Sequence, residues 1–153
     1  MSLAETSLKQ LGFAIPPMSK PMASYVPWVR AGNLVYVSGQ GPMRDGKPTH
    51  VGYVGRDFTV EQGQEAARVT CLNVLAAVKD AVGDLDRVVR IVKVTGFVRS
   101  APGFVDQPKV INGASDLLVQ VFGEKGRHAR AAVGVNELPI GIAVEIEAVV
   151  EVA

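Results

Sequence analysis

At 153 residues the chain is sized for one domain with a hydrophobic core of its own. Apolar residues make up 48% and charged residues 20%, which excludes a disordered polypeptide. Sixteen Lys and Arg against fifteen Asp and Glu leave a net charge of +1, which argues against a dedicated nucleic-acid binder.

Residues 1–24 mix a short apolar-polar segment, SLKQLGF, with Pro16-Pro17, Pro21, Met18 and Met22. Prolines remove donors and bias their neighbours away from helix, so this segment predicts a fragment of helix and then an extended arm. The arm is assigned to 1–22 and a single domain to 23–153. Met1-Ser2-Leu3 is given no role. "YVPWVRAGNLVYVSGQGP" reads as two strands, about 25–31 and 34–39, joined by a tight turn at Ala31-Gly32-Asn33. Pro27 places the first of them at a sheet edge or a bulge. "GPMRDGKPTHVGYVGRD" is loop, with a short strand near 50–53.

The period then changes. Ala67, Cys71, Val74, Leu75, Val78 and Val82 recur at three- and four-residue steps, the stripe of an amphipathic helix from Thr59 to about Val82. Thr59 with Gln62 three residues on is a capping box, and Gly83-Asp84 ends the helix. "RVVRIVKVTGFVRS" (87–100) predicts a strand buried on one face, and a second helix is expected over 104–122, ending at Gly123. Two last strands, 128–136 and 142–152, flank "ELPIGI". Val144, Ile146, Ala148, Val150 and Val152 share one face of the final strand, and Glu145, Glu147, Val149 and Glu151 the other. The order β-β-(β)-α-β-α-β-β predicts an α+β fold with two helices packed on one face of a mixed sheet.

Chemistry-bearing residues are few. Cys71, the single cysteine, falls on the apolar stripe and reads as a small hydrophobe rather than a nucleophile. One cysteine forms no intrachain disulfide, and with no signal peptide recognised a reducing, cytoplasmic setting is expected. No apolar run approaches the roughly 18 residues that cross a bilayer. His50 and His128 lack a second His or Cys at ligand spacing, so no metal site is expected. "GQGPMRDG" lacks the spacing of a dinucleotide fingerprint, and "EKGRHAR" reads as a solvated basic face.

Arg130 is the exception, a long cation at the start of "RAAVGV". Arg130, Ala132 and Gly134 point one way, while Ala129, Ala131, Val133 and Val135 point the other. If the last two strands form an antiparallel hairpin, Arg130 lies close to Glu145 or Glu147, a cross-strand ion pair. Alternatively its guanidinium is a planar fork for a ligand carboxylate, with Ala132 and Gly134 leaving room and Glu145 orienting a water. Both readings stay open. Tyr25 reads first as packing, Ser38-Gly39 as a strand end where backbone approaches a ligand, and Asn112 as a polar helix residue.

"YVPWVRAGNLVYVSGQGPMRDGK", the long helix, "VVRIVKVTGFV" and "NGASDLLVQVFGEKGRHARAAVGVNELPIGIAVEIEAVVEV" together resemble the RidA/YjgF family of reactive imine/enamine deaminases, also called L-PSP endoribonucleases. The resemblance covers about residues 23–153. It implies a chorismate-mutase-like fold assembled as a homotrimer, with sites in clefts between subunits. It implies hydrolysis of 2-iminopropanoate or 2-iminobutanoate to a 2-oxo acid and ammonia, with no cofactor or metal. Arg130 then matches the carboxylate-binding Arg and Glu145 the Glu of the catalytic water. Tyr25, Ser38, Gly39 and Asn112 match residues of the cleft. Ala132 stands where deaminase members often carry Cys, and S-Y-V-P replaces the usual surroundings of the Tyr, marking a divergent subgroup. A non-catalytic binder of small carboxylates is the alternative. A ribonuclease is disfavoured by the near-neutral charge and the lack of a His pair.

Overall fold

The structure, a computed structural model, describes residues 1–18 and 23–153. Pro21 and the end of the expected arm therefore lie outside the described residues. Among the described residues there are three α-helices and seven strands: α1 (Leu3–Gln10), β1 (Trp28–Ala31), β2 (Leu34–Gln40), β3 (Met43–Arg44), β4 (Lys47–Pro48), α2 (Val60–Val82), β5 (Val88–Arg99), α3 (Gln107–Phe122), β6 (Ala129–Val135) and β7 (Val144–Val152).

The five long strands form one mixed sheet in the order β1-β2-β7-β5-β6. β1, as Pro27 suggested, lies at an edge. β2 slips register between Val37 and Gln40, a bulge that frees the Ser38-Gly39 backbone from the ladder. Instead of the expected strand near 50–53, Met43–Arg44 and Lys47–Pro48 make a two-rung hairpin, and Val51 and Val54 contribute only isolated bridges. The glycines of this loop outweigh its few β-branched residues.

The capping box of α2 is present in full: Thr59 Oγ1 accepts from the Gln62 amide at 3.2 Å, and the Gln62 side chain accepts from the Thr59 amide at 2.9 Å. The stripe read from the sequence is buried, with Leu75 and Val78 fully enclosed. α2 and α3 cover one face of the sheet, where Val94, Val98, Ile146, Ala148 and Val150 complete the core. Among the described residues no helix covers the other face, and Val29, Tyr36 and Val133 are exposed.

The first residues are also structural. Ser2 caps α1 by accepting from the Glu5 amide at 3.0 Å, so the opening triplet, given no role from sequence, has one. Asp86 accepts from the Leu3 amide at 2.8 Å, Glu5 pairs with Lys79, and Ala4 and Leu8 enter the core. α1 is the fragment of helix expected in this segment, begun earlier than SLKQLGF, and it adds a third helix to the two expected on the sheet.

The largest departure concerns β6. It does not fold back on β7 as a hairpin; it pairs parallel with β5, Arg130 opposite Val94 and Ala132 opposite Gly96. β5 intervenes between β6 and β7. Parallel neighbours need a crossover, and α3 is that crossover.

α3 crosses α2 very closely. A Cβ on Gly113 would sit 2.3 Å from the Gln64 carbonyl oxygen, backbone that has nowhere to move. Gly113→Ala should therefore lower stability by about 1–3 kcal/mol, the range for an overpacked core, measured as a fall in the urea midpoint.

Candidate functional site

The parallel pairing decides where Arg130 points. Its register partner Val94 faces the helices, so Arg130 does too, from the open edge of the sheet toward α3. Its Nη1 donates to Asn112 Oδ1 at 2.8 Å and to Ser115 Oγ at 3.2 Å. Asn112 and Ser115 are three residues apart, one turn of α3, and so share a face. Among the described residues no carboxylate pairs with Arg130. Nε and Nη2, the other edge of the guanidinium, have no hydrogen-bond partner there. That edge presents two parallel N–H groups, the geometry that accepts a carboxylate in bidentate fashion.

The expected ion pair with Glu145 is absent for a topological reason. Glu145 on β7 is in register with Phe97 on β5, and Phe97 with Val133 on β6. Two strand spacings across and three residues along put Glu145 about 14 Å from Arg130 over the sheet, and on its opposite face. The room expected beside Arg130 is also occupied. Ala132 packs against the core, and a Cβ on Gly134 would meet Gln107 Nε2 at 2.6 Å. These small residues let α3 descend onto the sheet; they do not hollow a pocket beneath it.

Glu145 belongs to a second group. Its carboxylate lies over Gly39, where a Cβ would come within 2.8 Å of Oε2. Burial first, and then the neighbouring charge of Glu147, raise its pKa above the usual carboxylate value. Ser38 Oγ donates to the Val26 carbonyl at 2.6 Å, and its amide donates to the Pro27 carbonyl at 2.9 Å, fastening the segment that carries Tyr25. Tyr25 itself is exposed. One chain therefore assembles two separate groups: Arg130, Asn112 and Ala132 at the β6 edge, and Glu145, Gly39, Ser38 and Tyr25 around β2 and β7.

Neither His128, weighed from sequence as a metal ligand, nor Ser115 was expected at the site. His128 Nε2 is 2.8 Å from Ser115 Oγ, and Nδ1 is 2.7 Å from the Gly126 carbonyl oxygen. "EKGRHAR" is thus a solvated face only in part: Arg127 is exposed and paired with Glu124, while His128 is half-buried. The available signals were spacing: His128 is two positions before Arg130, on the same side of an extended chain, and Ser115 is one turn after Asn112.

A third cluster joins Tyr53, Arg99 and Glu137, with Arg56 over the Tyr53 ring at 4.3 Å and Arg99 at 3.8 Å. Every charge in it is paired, Arg56 with Asp57 and Arg99 with Glu137, and it ties the 50–58 loop to the ends of β5 and β6. Cys71 is buried, and burial pushes its thiol pKa up to about 12, so it is inert as a nucleophile. Among the described residues no three His, Cys, Asp or Glu converge as a metal ligand set.

Residues 5–147 match the model of the family described as "YjgF/chorismate mutase-like, putative endoribonuclease". The chain is similar to Protein TCP17 of Trypanosoma cruzi, 49% identical over 95% of this chain and 91% of that one. It is similar to the crystal structure of the protein Atu1372 from Agrobacterium tumefaciens, with TM-score 0.94 and 51% identity over 99% of this chain and 93% of that one. Its similarity to E. coli TdcF, a structure with bound serine, is lower: TM-score 0.62 and 26% identity, covering 91% and 94% of the two chains. Identity and TM-score both set the chain nearer Atu1372 than TdcF, in a divergent subgroup of the family.

A carboxylate whose folded pKa is raised stabilises the fold below its unfolded pKa and loses that contribution as pH rises through the folded value. Glu145→Gln should therefore raise the thermal midpoint at pH 7. The gain should shrink as pH falls toward about 4, where both states of the parent are protonated. Paired melting curves across pH 4–8 check it.

Proposed function

Because the chain belongs to the YjgF/chorismate mutase-like family, we propose that it hydrolyses small 2-imino acids and their enamine forms to 2-oxo acids and ammonia. The observation that carries this reading is the half-held guanidinium of Arg130. One edge is fixed by Asn112 and Ser115, and the other is left for a carboxylate. The serine bound by TdcF, a small carboxylate ligand in a relative, supports the same ligand class.

In this reading the substrate carboxylate docks on Nε and Nη2 of Arg130, which fixes the C=N carbon. Water adds to that carbon while the nitrogen is protonated, giving a 2-amino-2-hydroxy acid. Collapse of this intermediate forms the C=O bond and expels ammonia. Glu145 holds the water, takes one of its protons and passes it to the imine nitrogen as water adds; in the collapse it takes the hydroxyl proton and delivers it to the leaving nitrogen. A carboxylate with a raised pKa is a better base for this near neutrality. Ser38 and Gly39 hold that wall of the site, Tyr25 shapes its mouth, and Ala132 lines the anchor side.

Since Arg130 and Glu145 of one chain lie on opposite sheet faces, the reaction requires two copies. A homotrimer in which the β6 edge of one subunit meets the β2–β7 surface of the next supplies three such sites. The sheet face away from the helices, with exposed Val29, Tyr36 and Val133, offers apolar area for that assembly. A non-catalytic binder of 2-oxo acids is the second reading, and its support is Ala132, an unreactive methyl group at the position where deaminase members often carry Cys.

On freshly generated 2-iminopropanoate, Arg130→Ala should reduce kcat/KM by about 100-fold or more, the loss of two charge-assisted hydrogen bonds. A variant as fast as the parent removes the anchor. Binding of pyruvate with turnover at background selects the second reading. Arg130→Ala and Glu145→Ala, each inactive alone, should regain activity when unfolded together and refolded as mixed trimers, in about a quarter of the sites. No recovery, or a monomer mass by light scattering, contradicts the shared site.

A further inference from the structure

The hydrogen bonds around Ser115 have a direction. A carbonyl only accepts, so the 2.7 Å contact between His128 Nδ1 and the Gly126 oxygen places a proton on Nδ1. The neutral ring then offers Nε2 as an acceptor, and Ser115 Oγ, 2.8 Å away, donates to it. With its proton committed to His128, the Ser115 oxygen turns a lone pair toward Arg130 Nη1 at 3.2 Å. Asn112 Oδ1 takes the other Nη1 hydrogen at 2.8 Å. The guanidinium is thereby pinned at two points on one nitrogen, which sets its rotation and aims the Nε–Nη2 edge outward. A serine without His128 rotates its proton freely and can point it at the cation.

We propose that His128 and Ser115 are positioning residues for Arg130, orienting its open edge for the ligand carboxylate through a chain running Gly126, His128, Ser115, Arg130. This rests on the reading of Arg130 as the carboxylate anchor. Burial, and to a smaller extent the charge of Arg130, keep the His128 pKa below its usual value, so the ring stays neutral and accepting. Neither residue touches the substrate. Their effect is on how often the fork is aligned, so it falls on binding rather than on the chemical step.

Substitutions separate orientation from mere support of the loop. His128→Asn keeps a donor where Nδ1 meets the Gly126 carbonyl but removes the acceptor for Ser115. His128→Gln keeps an acceptor toward Ser115. Ser115→Ala removes the link, and Ser115→Thr restores a hydroxyl. In the full-length protein, the pyruvate Kd by calorimetry and KM and kcat on 2-iminopropanoate are measured beside the melting temperature. Ser115→Ala and His128→Asn should each raise Kd and KM by about 3–10-fold, the worth of one hydrogen bond, with kcat near the parental value. Ser115→Thr and His128→Gln should recover most of the affinity.

Parental Kd and KM in Ser115→Ala and His128→Asn overturn the proposal, whatever happens to the melting temperature. So does a loss that tracks melting temperature alone and is not recovered by Ser115→Thr. If Ser115→Ala fails to fold, the comparison of His128→Asn with His128→Gln carries the same decision. Arg130→Ala, measured in parallel, separates the two levels. If it binds pyruvate like the parent, the anchor reading fails and this inference with it. If it loses binding while the four variants do not, only the positioning role is lost.

Discussion

The parallel pairing of β6 with β5 is the constraint on which the rest of the molecule depends. A parallel neighbour cannot be reached by a tight turn, so the chain must leave the sheet and return through a helix. That helix, α3, lies over the two strands it joins and brings Asn112 and Ser115 down on the first turn of β6. The same pairing leaves β6 at an edge and hands the centre of the sheet to β5 and β7. An antiparallel hairpin would have neutralised Arg130 against a glutamate. The crossover instead points it at two neutral oxygens and an open side.

Close approach makes this arrangement specific. Gly113 allows α3 to rest on the backbone of α2, and Gly96 receives the side chain of Ile111, whose Cδ1 would lie 2.6 Å from a Cβ there. Ala132 beside Gly96 continues the same low surface. A larger residue at any of these positions lifts the helix, and a shift of even an ångström is enough to break hydrogen bonds of 2.8 and 3.2 Å. Packing and electrostatics are therefore one problem here: the small residues exist so that polar groups on α3 reach a guanidinium on the strand below.

Several arginines are committed to partners within the fold. Arg56, Arg99 and Arg127 each have a carboxylate partner, and Arg87 donates to the carbonyls of Val82 and Ala153. Arg130 is half-buried, and among the described residues it meets an amide oxygen and a hydroxyl but no carboxylate. A partly desolvated cation without a counter-charge is unfavourable to the fold and favourable to an incoming anion. Glu145 shows the complementary condition on the other face, a carboxylate crowded by burial and by Glu147.

Local features of this protein were legible in its sequence. The α2 stripe and its Thr59–Gln62 cap, the edge position imposed by Pro27 and the alternation along β7 all follow from periods and side-chain chemistry within one segment. Arg130 was conspicuous too, because a long cation among small and β-branched residues stands out in one dimension. The partners of Arg130 were not legible. Asn112 and Ser115 are eighteen and fifteen positions away in the chain, and no local period says which strand β6 will join. Glu145 was placed next to Arg130 by the shortest available connection, and β5 separates them. His128 looked like part of a solvated run until the fold enclosed it against Ser115. Sequence determines which faces must be buried, since that depends on each residue and its near neighbours. Strand order decides which polar groups meet, and it depends on how all the buried faces pack at once.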